Sequence, residues 1–261
     1  MIQNFFRKLE ELAVQYLLIS GQASVLYGAS TFSEDIDLWL APTSLNFRRF
    51  TKALSQLDAA VYKLTPPLEP GYAKRGHGFH FLLPDEYTPA YLDVMGKPPR
   101  VGSFRLAHKK SNRILCDWGK IPVVSIPDLV ELKKTRRLAD YEVISNLVKI
   151  HLSDRSKQTD LEWGLKNVFR IEDADWIFKK IPNSRKTAIR IGRKWLKAMA
   201  ESGTNFRYQE IQSLLAQEIA SLQHQDVLYW QPVIEELRTM RKNRILLKQG
   251  TPVQSLITGK N

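Results

Sequence analysis

A chain of 261 residues with 39 Lys and Arg against 27 Asp and Glu carries a formal net charge of +12, which favours a polyanionic partner. Its single cysteine, Cys116, excludes an intramolecular disulfide and a cysteine-rich zinc site, and reads as a small core residue. No apolar run reaches the length of a membrane span and Met1-Ile2-Gln3-Asn4 opens no signal peptide, so a cytoplasmic protein with no membrane partner is expected.

Residues 4–14 carry Phe5, Leu9, Leu12 and Ala13 at a helical period, a short amphipathic helix to pack on a sheet. Tyr16-Leu17-Leu18-Ile19 reads as a strand. The Ser20-Gly21 turn and a short helix closed by Gly28 follow it. Ser33-Glu34-Asp35-Ile36-Asp37-Leu38-Trp39-Leu40 has the period of a second strand, with Ile36, Leu38 and Leu40 entering a core and Asp35 and Asp37 projecting together from the other side.

Residues 43–62 repeat the amphipathic helical pattern, and Thr65-Pro66-Pro67-Leu68-Glu69-Pro70-Gly71 breaks regular structure. Phe79–Leu83 and Tyr91–Met95 are two further strands, separated by a turn at Pro84-Asp85-Glu86. In the second, Leu92 and Val94 share one face while Asp93 points with Tyr91 and Met95 to the other. His77 and His80 fall on opposite faces of an extended chain, which speaks against zinc and for a substrate-facing or hydrogen-bonded His80. Ile121–Val124 is a short strand leading to a helix capped near Ser125 or Pro127. That helix is expected to run from Asp128 through Leu147, with Lys133, Arg137 and Asp140 on one face.

Two carboxylates held two residues apart on a strand repel each other unless a hard divalent cation sits between them, which suggests a Mg²⁺ site at Asp35 and Asp37. A helix opening straight after a Ser-Gly turn presents free backbone N–H groups to a phosphate. The order strand, Ser-Gly turn, helix, Gly28, Asp35-Ile36-Asp37 resembles the signature of the nucleotidyltransferase superfamily, the polymerase-β-like fold. Lys133, Arg137 and Asp140 resemble a helix of the bacterial members related to abortive-infection toxins. The resemblance spans roughly residues 15–147. It implies a third catalytic carboxylate on a later strand, for which Asp93 is the candidate. It further implies that Asp35, Asp37 and Asp93 bind Mg²⁺ (or Mn²⁺), that Ser20, Gly21, Ser33, Lys133, Arg137 and Asp140 contact the NTP, and that a cognate antitoxin is a partner. The pattern departs at Ser20, where a φ above zero would strain a serine, and at Thr31, where the family often has arginine.

Residues 154–261 show repeated helical periods, at 157–169, 172–181, 184–200, 207–223 and 227–246, and a polar tail from Gly250 that should fray. Six basic residues and no acid lie between Arg185 and Lys197. At helical spacing Lys186, Arg190, Arg193, Lys194 and Lys197 form one stripe, a candidate RNA phosphate track. The expected architecture is α/β (α+β): a mixed-sheet nucleotidyltransferase core over 1–153, then an all-helical domain over 154–261. The expected function is metal-dependent transfer of an NMP from an NTP to an acceptor hydroxyl on RNA, with tRNA foremost. Transfer to a small molecule such as an antibiotic, and a degenerate protein that holds a nucleotide or partner without turnover, remain the rival readings.

Overall fold

The computed structural model describes residues 2–85, 88–153, 157–203 and 207–258; Glu86 of the expected turn, the start of the expected second domain at Asp154 and the last three residues lie outside them. The chain packs as two compact units. The first comprises residues 1–26, 31–132 and 230–261, and the second residues 27–30 and 133–229. This differs from the expected division at 153/154.

The first unit holds a seven-stranded mixed sheet. Its strands are β1 (Tyr16–Ile19), β2 (Ile36–Leu40), β3 (Ala60–Val61), β4 (Gly78–Leu83), β5 (Ala90–Met95), β6 (Asn112–Cys116) and β7 (Gly119–Val123), in the order β3-β4-β5-β2-β1-β7-β6. β2 runs parallel to β5 and β1 parallel to β7, while the other pairs are antiparallel. Alternation sorts the side chains by face. Ile36, Leu38, Phe79, Phe81, Leu92 and Val94 are buried, and α3 (Ser44–Ser55) lies over that side, with Phe47 edge-on to Phe79 and Phe50 edge-on to Phe81. Asn46 of α3 pins the entry to β1, accepting from the Gln15 backbone N–H at 2.7 Å and donating to the Gln15 and Ala41 carbonyls. On the other face every residue of β4 and β5 is only half-buried. Trp39 closes one end of that face, its Nε1 donating to the Gly96 carbonyl at 3.1 Å.

Two short helices and a hairpin were not legible in the sequence. Pro70 opens α4 (Pro70–Lys74) inside the stretch expected to be irregular, where its missing N–H costs nothing. Ser103 caps α5 (Phe104–Lys110), its side chain accepting from the Leu106 N–H. β6 and β7 form a hairpin whose Gly119 takes φ 110°. Cys116 lies in that hairpin, half-buried rather than in the core.

The C-terminal stretch is not frayed through 258. The Gly250 N–H donates to the Val61 carbonyl at 2.7 Å, Val61 N–H to Thr251, and Val253 N–H to Ala59. Val253 of the helix α13 (Val253–Thr258) is fully buried. These contacts, with Glu236 accepting from Arg75 at 3.0 Å and bonded to His77 Nε2 at 2.7 Å, explain why residues 230–261 belong with the sheet.

The described regular elements of the second unit are all helices: α7 (Ala139–Ser153), α8 (Gln158–Asn167), α9 (Ile171–Lys180), α10 (Ser184–Ile191), α11 (Lys194–Glu201) and the first part of the 35-residue α12 (Tyr208–Lys242). No helix among the described residues is long and apolar enough to cross a membrane.

A chain ending at Gln249 loses three backbone hydrogen bonds and the buried Val253. It should melt with a loss of about 3–5 kcal/mol in thermal or urea unfolding, whereas a frayed tail would leave the curve unchanged.

Candidate active site

β1 ends at Ile19 and the chain turns at Ser20, which adopts φ 59° at the start of the short helix α2 (Ser20–Leu26). The left-handed geometry expected at this turn is therefore present, on a serine that bears its strain. The Ser20 carbonyl accepts from Ser24 Oγ at 2.9 Å. At Gly21 an added Cβ would lie 2.1 Å from Ser33 Oγ, so only glycine lets the segment before β2 come this close. Gln22 fixes that approach by donating Nε2–H to the Ser33 carbonyl at 2.7 Å. Ser20, Gly21 and Ser33 thus form one neighbourhood.

The register of the sheet aligns the acids. Ile19 pairs with Asp37, Asp37 with Asp93, and Asp93 with His80, so the two carboxylates and the imidazole stand in one row across neighbouring strands on the half-open face. Asp35 sits in the bend before β2 rather than in the strand. Burial, then the charge of Asp93, raises the Asp35 pKa above the ordinary aspartate value, with Lys63 and His80 pulling the other way. Asp93 Oδ1 is 2.7 Å from His80 Nδ1 and its Oδ2 is 3.9 Å from Lys63 Nζ. His80 and Lys63 therefore compensate a carboxylate that would otherwise face two like charges. Lys63 carried no signal in the sequence; it follows β3, a two-residue strand too short to announce itself.

The three-carboxylate metal centre is not assembled in this geometry. Asp93 is engaged by His80, and among the described residues no group of three or more His, Cys, Asp or Glu stands close enough to hold a metal ion. Asp35 and Asp37 do fit a hard cation in donor chemistry, being carboxylates at neighbouring positions.

Lys133, Arg137 and Asp140 are brought together, but not on one helix. The helix α6 (Ile126–Lys133) ends before α7 begins at Ala139, and the intervening turn wraps around Asp140. Its carboxylate accepts from Lys133 Nζ at 3.0 Å, Arg137 Nε at 3.0 Å and Thr135 Oγ1 at 2.5 Å. Lys133 and Asp140 are both buried. Burial alone would raise the Asp140 pKa, but Lys133, Thr135 and Arg137 outweigh it and hold the carboxyl below the usual aspartate range. The arrangement is that of a closed structural brace.

The expected basic stripe is broken too. Gly192, at φ 76°, ends α10, and Arg193 becomes the N-cap residue of α11. Arg193 is drawn inward: it pairs with Glu218 at 2.6 Å, donates to the Leu165 and Val168 carbonyls at 2.8 Å and lies over Phe169. Arg190 pairs with Glu162, and Lys197 with Glu201 at 3.8 Å. Lys186 and Lys194 are left exposed on separate helices. No protein-family model matches the chain, and a search of curated proteins finds no match.

Because folding lowers the Asp140 pKa, its contribution to stability is present above the unfolded aspartate value of about 3.9 and is lost as pH falls through the lower folded value. Asp140→Asn should cost about 3 kcal/mol at pH 7 by leaving Lys133 buried without its counter-charge. The gap between variant and parent, measured by urea unfolding, should narrow below about pH 4; a gap independent of pH would contradict the brace.

Proposed function

We propose that this chain is a metal-dependent nucleotidyltransferase that moves an NMP from an NTP to a hydroxyl group of RNA. The observation that carries the reading is the row of Asp37, Asp93 and His80 across neighbouring strands, with Asp35 beside it and its pKa raised by burial and by Asp93. The charge of Asp93 disfavours ionised Asp35 in the free protein, and a cation held at these carboxylates would relieve that repulsion.

In this reading Asp35 and Asp37 hold Mg²⁺ (or Mn²⁺), and Ser20, Gly21 and Ser33 border the phosphates. Held there, such an ion would supply positive charge to offset the triphosphate and polarise the α-phosphate. Asp93, oriented by His80, takes the proton of the attacking hydroxyl. The hydroxyl oxygen bonds to the α-phosphorus, the bond to the β-phosphate oxygen breaks, and pyrophosphate leaves. The buried brace of Lys133, Arg137 and Asp140 has no role at the phosphates in this scheme. RNA is favoured over a small cationic acceptor by the net charge of +12, since an excess of cations repels a cationic drug and attracts a polyphosphate. One observation favours a binding protein without turnover: Asp93 is already engaged by His80 and Lys63.

Incubating the protein with α-phosphate-labelled NTPs and total RNA separates these readings. Label should enter RNA only with Mg²⁺ or Mn²⁺, and Asp37→Asn should lower incorporation by at least about 100-fold with an unchanged or raised melting temperature, since it relieves repulsion. Full activity in that variant would sink the metal role; nucleotide binding without incorporation would establish the binding-protein reading.

A further inference from the structure

One group of exposed cations that do not pair with carboxylates lies on α5 and the β6–β7 hairpin. Between Arg105 and Lys120 the chain carries Arg105, Lys109, Lys110, Arg113 and Lys120 against one acid, Asp117. All five cations are exposed, on α5, β6 and the start of β7. None of them forms an ion pair with a carboxylate among the described residues. In the expected stripe, by contrast, three of the five cations are paired. An unneutralised cluster of this density needs only counterions in the free protein, and those are released when a polyanion binds.

Aromatic surface stands within the same edge. Trp118, at the hairpin turn, lies stacked on Phe6 with ring centroids 5.5 Å apart and planes 14° apart, and is half-buried, so part of the indole remains accessible. It lines a cavity of about 780 Å³ together with His108, Arg113 and Lys120, and with Arg7 and one acid, Glu10. An indole held flat by a ring behind it, with cations around it, suits an unstacked base whose phosphates run along the basic residues. A duplex would present no free base face to Trp118. β6 is the edge strand of the sheet, and three strand spacings separate it from β2, about 14 Å in all. Trp118 sits with Phe6 and Tyr16, and Tyr16 pairs with Leu40 at the other end of β2 from Asp37, so this edge is a surface apart from the acidic row.

We propose that the edge formed by α5 and the β6–β7 hairpin binds single-stranded RNA, the phosphates on Arg105, Lys109, Lys110, Arg113 and Lys120 and a base on Trp118. Binding at this edge stands by itself; that the bound RNA is the acceptor rests on the nucleotidyltransferase reading. A protein strand adding to the exposed edge of β6 is the competing occupant.

The test is fluorescence anisotropy of the full chain with a labelled 20-nucleotide single-stranded RNA, from 50 to 300 mM KCl. Each phosphate contact contributes about 0.7 to the slope of log affinity against log salt. Arg113→Ala/Lys120→Ala should therefore flatten the slope by about 1.4 and weaken binding about tenfold or more at 100 mM, while Lys186→Ala/Lys194→Ala leaves both unchanged. Trp118→Ala should weaken binding with the slope kept, and Trp118→Phe should restore most of it, which a folding defect would not show. Several outcomes overturn the proposal: no RNA binding at 100 mM, an unchanged slope in the hairpin variant, an equal effect from the Lys186/Lys194 pair, or duplex RNA bound as tightly as single-stranded. Asp37→Asn separates the two readings, because it should keep RNA affinity while losing transfer. RNA bound through this edge without nucleotide incorporation leaves the inference standing and sinks the enzyme; incorporation with binding indifferent to the hairpin does the reverse.

Discussion

Like-charge crowding on one face of the sheet is the constraint on which the first unit depends. The alternation that buries Ile36, Leu38, Leu92 and Val94 under α3 must send Asp37 and Asp93 to the other face, and the parallel register of β2 and β5 then sets them side by side. Moving either strand by one residue would relieve the repulsion and expose the core. The fold accepts the repulsion and answers it with His80 from the next strand and Lys63 just beyond β3.

Other charged groups follow the opposite logic. Asp140 has a cation or hydroxyl at both carboxylate oxygens and is shut from water, and Arg193 donates to two carbonyls and a carboxylate while lying against Phe169. Such closed clusters fix backbone geometry: one wraps the turn between α6 and α7, and the other ties the turn before α11 to the end of α8. The acidic row is only half-buried. That difference in closure separates a scaffold from a candidate site more sharply than residue type does.

Much of the acidic row could be read from the sequence because strand periodicity is local: Asp37 among Ile36, Leu38 and Leu40, and Asp93 between Leu92 and Val94, point one way by alternation alone. The engagement of Asp93 by His80 was only partly legible, since it requires the antiparallel register of β4 and β5, which no single stretch encodes. The continuous helix through Lys133 and Asp140 was misread because its 3.6-residue pattern persists across a turn that a buried carboxylate organises. The stripe at 186–197 failed for a similar reason. Gly192 in a left-handed conformation resets the helical phase, and Arg193 swings from the supposed outer face into the core. The return of residues 230–261 to the sheet was hidden because the periods read at 207–223 and 227–246 belong to one helix, α12, whose pattern does not mark where the chain passes from one unit to the other, while β3, α4 and α5 are too short to set up a period of their own.

In the proposed function the acidic row receives a metal-bound nucleotide. A crystal structure of the protein with Mn²⁺ and a non-hydrolysable NTP, read from the anomalous signal of the metal, tests it most directly. The expected result is a manganese peak at the carboxylates of Asp35 and Asp37, with the nucleotide's phosphates beside Gly21 and Ser33. A peak elsewhere, or a nucleotide bound away from this face of the sheet with Asp93 still held by His80 and Lys63, would contradict it.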